Sequence, residues 1–520
     1  MIALLLNEVP FEQDVRELFM AFYPGERYTH EPDENAMIVF TAVPAEEAPG
    51  ENAPGTGTVQ KNTGDQVPGN TEIAPEAPED AVRGAYSLCL RIRRPDGTER
   101  ISEFRSARYT ERLWEKNALK RALYLALCRE NGRTLPWGTL TGIRPTKLAL
   151  TELEEGVSEE EVSRHLRERY FLSEEKNSLC VRTAAYEYKA LQGLDLEKGW
   201  SLYIGIPFCP TTCLYCSFTS YPVAKWRKET DNYVSALCTE LSQVAEWMQG
   251  RPLETIYMGG GTPTSLEAAQ LDRILSAVEQ YFDLSHLREL TVESGRPDSI
   301  TEEKLLALKK HKVNRISINP QTMKQETLDL IGRRHTVDQF RECFALARRL
   351  GFDNINTDLI VGLPNESADD VRRTMEEIRI LAPDDVTIHS LALKRAARLN
   401  TKKEDYADVT YGDASEMISL TGKCCEEMGL HPYYLYRQKN MAGNLENVGW
   451  CRPGHEGLYN ILIMEEKQTI VGCGAGTTTR VIYPGENRYE RVENVKDPGL
   501  YIERLSEMLA RKKELLAPAD

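Results

Sequence analysis

The spacing of apolar positions changes character near residue 200. Before it, short apolar runs alternate with longer amphipathic stretches and no repeated unit emerges. Residues 2–6 predict a strand, Glu12 to Tyr23 an amphipathic helix, and Ala36 to Ala42 a second strand. Tyr86 to Ile92 and Arg100 to Phe104 predict a hairpin around the Pro95-Asp-Gly97 turn. Tyr109 to Asn131 has the length and periodicity of a long helix, and further helices are predicted near Glu159–Tyr170 and Glu174–Leu191. Trp137 to Lys147 predicts a loop carrying two basic residues. Between the early strands and the hairpin, Pro44 to Asp80 is rich in Pro, Gly, Glu, Asn and Thr. It buries too little apolar surface to offset the entropy of ordering, which predicts a disordered loop or linker.

From Trp200 onward, apolar strands alternate regularly with amphipathic helices. The strands are expected at Ser201–Ile206, Glu254–Met258, Glu289–Glu293, Arg315–Asn319, Asn354–Ile360 and Asp385–Leu391. Such alternation predicts parallel α/β architecture of the barrel kind, with its chemistry at the C-terminal strand ends. After Leu393 the pattern becomes mixed. Val409 to Met428 reads as helix, Tyr459–Met464 with Gln468–Cys473 as a hairpin, and Leu500 to Leu516 as a closing helix. The expected domains are 1–195 (α+β, with the disordered insert 44–80), 196–395 (the barrel) and 396–520 (helices and a small sheet capping it).

Composition narrows the function classes. The chain has 520 residues, 41% hydrophobic and 28% charged, with a net charge of −16 and no long basic run. That balance argues against sequence-independent nucleic-acid binding. The N-terminal Met-Ile-Ala-Leu-Leu-Leu-Asn-Glu lacks a basic n-region, and no apolar stretch reaches the ~18 residues of a membrane span. With twelve cysteines in a chain too long to depend on disulfides, a reduced cytoplasmic setting is expected.

The cysteines carry the chemistry. Cys209, Cys213 and Cys216 form a C-x3-C-x2-C run directly after an apolar strand. Three thiolates within eight residues suit one metal centre. A four-iron cluster held by three cysteines keeps one iron without a protein ligand, able to bind a small molecule. A zinc site is the alternative, although zinc knuckles pair C-x2-C with a second pair or with histidines, and here the next cysteine is Cys238. Downstream, Gly259-Gly-Gly-Thr-Pro-Thr264 follows the second strand, where consecutive glycines let backbone approach a ligand.

The cysteine run, with the aromatic Tyr215 before its last member, resembles the cluster loop of radical S-adenosylmethionine (SAM) enzymes. Further motifs narrow the resemblance to the oxygen-independent coproporphyrinogen III oxidase (coproporphyrinogen dehydrogenase) family, and within it to the HemZ-type branch. The resemblance covers about residues 200–480. It implies an open parallel (β/α)6 barrel and two cofactors, a [4Fe-4S] cluster on Cys209, Cys213 and Cys216, and SAM. By the same resemblance, Gly260, Gly261 and Thr262 bind the SAM amino group and neighbouring atoms. Tyr203 lies near SAM, and Glu293 contacts it, although one extra residue before Pro297 alters the loop that follows. Gln321, Arg333 and Asp358 match the residues that hold a second SAM, with Arg334 as the competing assignment for the cation. Gly472 to Thr477 resembles a glycine-rich turn that closes over the site.

The implied reaction converts two propionates of coproporphyrinogen III to vinyl groups, giving protoporphyrinogen IX, with no side-chain general base. The implied partners are a tetrapyrrole substrate and a flavodoxin- or ferredoxin-like electron donor. Lys394, Arg395, Arg398, Arg437 and Lys439 are candidate clamps for the substrate carboxylates. A sister family of haem chaperones shares the architecture. Its late His-Asn-x-x-Tyr-Trp-type segment is not matched by Arg452-Pro-Gly-His-Glu-Gly-Leu-Tyr-Asn460, though His455 could ligate iron. A radical SAM methyltransferase is a third reading. The resemblance leaves residues 1–195 without an assigned role.

Overall fold

The computed structural model describes residues 1–33, 35–45, 81–94, 96–216, 218–391, 410–438, 445–483, 485–486 and 488–517. The stretch 46–80, expected to be disordered, and the candidate clamps Lys394, Arg395, Arg398 and Lys439 lie outside these residues.

The chain forms two compact units, one of residues 1–142 and 156–181, the other of 143–155 and 182–520. Residues 143–155 and 182–195, expected in the N-terminal domain, therefore belong with the barrel, and 396–520 is not a separate unit.

In the first unit, β1 (Ile2–Leu6), β2 (Tyr28–Thr29), β3 (Ile38–Pro44), β4 (Val82–Arg93) and β5 (Glu99–Tyr109) form one sheet in the order β2-β1-β3-β4-β5. β1 runs parallel to β2 and β3, whereas β3, β4 and β5 are antiparallel. Alternate residues of β3 and β4, such as Ile38, Phe40, Leu88 and Leu90, point into a core shared with the helices Glu12–Phe22 and Arg112–Asn131. This is the period-two burial of a sheet with one covered face.

The second unit is built on an eleven-stranded sheet. Its centre is six parallel strands in sequence order: β6 (Trp200–Ile206), β9 (Leu253–Gly260), β10 (Glu289–Glu293), β11 (Arg315–Ser317), β12 (Ile355–Val361) and β13 (Asp385–Ser390). Nearly every residue of these strands is buried, as expected where helices cover parallel strands. The short strands β7 (Phe208–Cys209) and β8 (Tyr221–Pro222) pair with each other around the cysteine run.

Five later strands flank the six. β14 (His431–Arg437) and β15 (Glu446–Cys451) join antiparallel beyond β13. On the other side β16 (Thr469–Cys473) pairs parallel with β6, followed by antiparallel β17 (Thr478–Tyr483) and β18 (Arg488–Glu493). Residues 459–464, expected as a strand, instead lie in the helix Leu458–Glu465. Leu, Met and Glu favour helix there, and Glu466 ends it in the left-handed region at φ 53°. The closing helix is broken at Arg504 into Pro498–Glu503 and Leu505–Leu516.

Candidate functional site

The residues singled out from the sequence come from β6, β9, β10, β11 and β12 and the loops that follow them, yet they line one cavity. Cys209, Cys213, Cys216, Tyr203, Tyr215, Gly260, Gly261, Thr262, Glu293, Gln321, Arg333 and Asp358 all face a space of about 370 Å³. That volume lies within the range of small-molecule sites.

The cysteine run leaves β6 through Pro207 and turns back under β7. Cys209 Sγ lies 3.5 Å from Thr262 Oγ1, which ties the loop to the glycine run. Burial raises the Cys209 thiol above its ordinary pKa and pushes Cys216 up to about 11. Compensation for a thiolate therefore has to come from a bound cation or a neighbouring donor. Among the described residues, no three of His, Cys, Asp or Glu converge as ligands of a single ion would. Cysteines of a cluster bind separate irons, so their sulfurs need not converge.

The Gly261 amide donates to Ile206 O at 2.8 Å and the Thr262 amide to Phe208 O at 2.7 Å, so these donors pin the glycine run to the cysteine strand. A Cβ at Gly261 would meet Phe208 O at 2.5 Å, so glycine is required by this close approach.

Glu293 ends β10 and accepts the Tyr257 hydroxyl at 2.7 Å. Burial pushes its carboxyl up to about 7, against the pull of that hydrogen bond. Tyr257 stacks on Tyr459 with ring centroids 4.6 Å apart, and Tyr203 stacks on both.

Gln321, Arg333 and Asp358 form the opposite side. Gln321 adopts φ 71°, a left-handed conformation that costs a non-glycine residue of order 1–2 kcal/mol. It is held there by its amide donating to Asp358 O and its carbonyl accepting from Ile360 N. Its side-chain Oε1 is buried with no protein partner, and so is the nearby Ser317 Oγ. Buried polar atoms are almost always paired, so these two fit a site built for a polar ligand. The Asp358 carboxylate accepts Asn319 Nδ2 at 2.7 Å and Asn356 Nδ2 at 2.8 Å. Burial opposes its charge, but the neighbouring His389 ring and the Asn356 hydrogen bond outweigh that and hold the carboxyl below the usual range. Arg333 donates through Nη1 to Asn319 O at 2.6 Å and through Nε to Tyr215 Oη at 3.3 Å. A capping box between Thr336 and Gln339 starts the next helix at Val337 and so fixes the loop that presents Arg333.

Two expectations are corrected. Arg437 is buried at the end of β14 and is not among the cavity-lining residues. The turn Gly472–Thr477 packs beneath β6, where a Cβ at Gly474 would strike Gly205 O at 2.4 Å, and does not line the cavity. Conversely, Arg296, Asn319 and His389 line it without having been singled out. The only signal for Arg296 was its place directly before Pro297, in the altered loop after Glu293.

Comparison with known proteins agrees with this geometry. Residues 203–378 match the model of the radical SAM superfamily. The oxygen-independent coproporphyrinogen-III oxidase-like protein HemZ of Bacillus subtilis is 40% identical over 427 residues, covering 80% of this chain and 85% of that protein. The haem chaperone HemW of B. subtilis is 30% identical over 317 residues, covering 59% and 76%. The solved structure of coproporphyrinogen III oxidase (HemN) from Escherichia coli superposes with a TM-score of 0.50 at 23% identity, covering 63% of this chain and 73% of that one, which shows the shared fold. No helix among the described residues is long and apolar enough to cross a membrane. Radical SAM proteins use a [4Fe-4S] cluster and SAM, and a cavity combining three thiols with orphaned polar acceptors suits both. The chain thus belongs to the radical SAM superfamily and, within it, to the HemZ-type branch of the oxygen-independent coproporphyrinogen III oxidase-like family.

Proposed function

We propose that this protein carries out oxidative decarboxylation of coproporphyrinogen III to protoporphyrinogen IX. The observation that supports this best is that Cys209, Cys213 and Cys216 share one cavity with the Gln321, Arg333 and Asp358 set. Cys209, Cys213 and Cys216 hold the cluster. Tyr203, Tyr215, Gly260, Gly261, Thr262 and Glu293 hold SAM beside it, and Gln321, Arg333 and Asp358 hold a further SAM. When bound, the cluster and SAM supply a one-electron reductive cleavage whose carbon radical can take hydrogen from a substrate propionate.

The chain's own part is positional. Arg333, anchored through Nε and Nη1, turns Nη2 toward a carboxylate as a single charge-assisted donor. Gln321 offers the unpaired Oε1 to a donor. Glu293, once ionised, attracts a cationic ligand. The Tyr203 and Tyr257 rings wall the cavity, with Tyr459 stacked on both, and exclude water from reactive carbon. Each propionate loses one hydrogen atom, CO2 and one electron, and a one-electron acceptor takes the last. A flavodoxin- or ferredoxin-like protein supplies the reducing electron.

A second reading, haem binding without turnover, is favoured by the 30% identity to HemW. One anaerobic experiment separates the two. The reconstituted protein is given coproporphyrinogen III, SAM and a strong reductant, and 5′-deoxyadenosine and tetrapyrrole masses are followed together. Stepwise loss of two CO2 with matched 5′-deoxyadenosine is expected. Intact porphyrinogen together with stoichiometric haem binding would establish the chaperone reading instead.

A further inference from the structure

Arg296 is 3% exposed, and its guanidinium is fixed on every side. Nε donates to Asp298 Oδ1 at 2.9 Å and Nη2 to Asp298 Oδ2 at 2.7 Å, a two-pronged clamp. Nη2 also donates to Thr211 Oγ1 at 3.1 Å, and Nη1 to Thr211 O at 3.4 Å. The remaining direction of Nη1 is taken by Cys213 Sγ, at 3.4 Å. Thr211 lies between the first two cysteines, so one buried cation grips both the loop and a sulfur it presents. The three sulfurs are not equivalent: Cys209 faces the neutral Thr262 hydroxyl instead.

Hydrogen bonds to cluster sulfurs are among the factors that set an iron–sulfur potential. One-electron reduction adds a negative charge to the cluster and its thiolates. Asp298 offsets part of the charge, but the pair turns its cationic end toward the sulfur, and a dipole so oriented stabilises the reduced form more than the oxidised one. Burial keeps that field from being screened by salt, and arginine does not lose its proton in proteins.

We propose that Arg296 is a positioning residue of the cluster, which fixes the cysteine loop through Thr211 and raises the cluster's reduction potential through the Cys213 sulfur. This rests on the reading that the three cysteines hold the cluster.

The test uses the full chain, reconstituted anaerobically with ferrous iron and sulfide. Iron and sulfide per chain are measured, and the cluster is titrated with dithionite and mediators under electron paramagnetic resonance, without SAM. Arg296→Gln is expected to load less iron per chain than the wild type, and its midpoint is read on the loaded fraction. Its ratio of reduced to oxidised cluster at the wild-type midpoint is expected to fall about tenfold, equivalent to a shift of about 59 mV for one electron. Arg296→Lys keeps the charge but loses the fork, and is expected to shift by about threefold in the same direction. A glutamine variant with full iron and an unchanged midpoint overturns the proposal. Should that variant fail to load, an unchanged midpoint in the lysine variant overturns it equally, and the threefold shift supports it. A wild-type chain that takes up no cluster, or a Cys213→Ala chain that keeps an unaltered one, overturns the ligand reading instead.

Discussion

Tyr257 donates its hydroxyl hydrogen to Glu293 Oε1 at 2.7 Å, so the strand that enters the glycine run also sets the charge of the carboxylate facing it. Burial pushes that carboxyl up to about 7 and the tyrosine hydrogen bond pulls it back. Below pH 7 the group is largely neutral, and above it is ionised and attracts a cation. SAM carries sulfonium and ammonium charges, so its affinity is expected to rise with pH through about 7. Tyr257→Phe moves this midpoint upward, because the lost hydrogen bond had favoured the ionised form. Glu293→Gln flattens the profile. Equilibrium dialysis of SAM across pH 6 to 8.5 measures all three, and a flat wild-type profile would discard the assignment.

Gln321 combines strain with an unpaired acceptor, which gives its substitutions opposite signs. Gln321→Gly relieves the φ of 71° and is expected to raise stability by up to about 1 kcal/mol. The same change removes the amide and is expected to weaken SAM binding about tenfold, the scale of one lost hydrogen bond to a charged group. Gln321→Ala keeps the strain and loses the affinity. Denaturant midpoints and SAM titrations on the two variants separate these effects.

Cys209 and Cys216 contribute little to the fold in the absence of metal, because their thiols face a cavity, whereas Cys213 also accepts from buried Arg296. Alanine at Cys209, Cys213 or Cys216 is expected to abolish the cluster, read as lost iron and lost visible absorbance. The unfolding free energy of the apoprotein should change by less than about 1 kcal/mol for the Cys209 and Cys216 variants. A variant that retained a full complement of iron would exclude that cysteine as a ligand.

Away from the cavity, Glu240 and Lys512 form a fully buried ion pair at 2.5 Å. Glu240 also accepts the Tyr501 hydroxyl, Asn494 Nδ2 and the Gly474 amide. Lys512→Met strands a buried charge and is expected to cost about 3–5 kcal/mol. Replacing both partners with apolar residues is expected to cost less than the single change. Urea unfolding of single and double variants tests this, and additive losses would contradict it.

The cysteine loop was readable from spacing alone, because thiolate ligands must lie close in sequence when one turn presents them. The parallel order of β6 and β9 through β13 was readable because strands buried on both faces leave uniform apolar runs. Gln321, Arg333 and Asp358 carry no local signature, and only family resemblance drew them together. Arg296 stayed hidden because its importance lies in which sulfur it reaches, a matter of loop geometry. The helix Leu458–Glu465 was misread because a short apolar run fits a buried helix as well as a strand. Arg437 was a candidate carboxylate clamp by residue type, yet the pairing of β14 with β15 carries it into the interior.

The pairing of β16 with β6 has a consequence for biosynthesis. β6 leads into the cysteine loop, yet one of its two neighbours, Thr469–Cys473, comes from the last part of the unit. A ribosome delivers β6 long before that neighbour, so the nascent chain carries an apolar strand with one bare edge. Until β16 arrives, the loop bearing Cys209 hangs from a half-paired strand. Metal incorporation is then expected only once β16 has joined β6, and chaperone protection during translation should matter most while this edge is open.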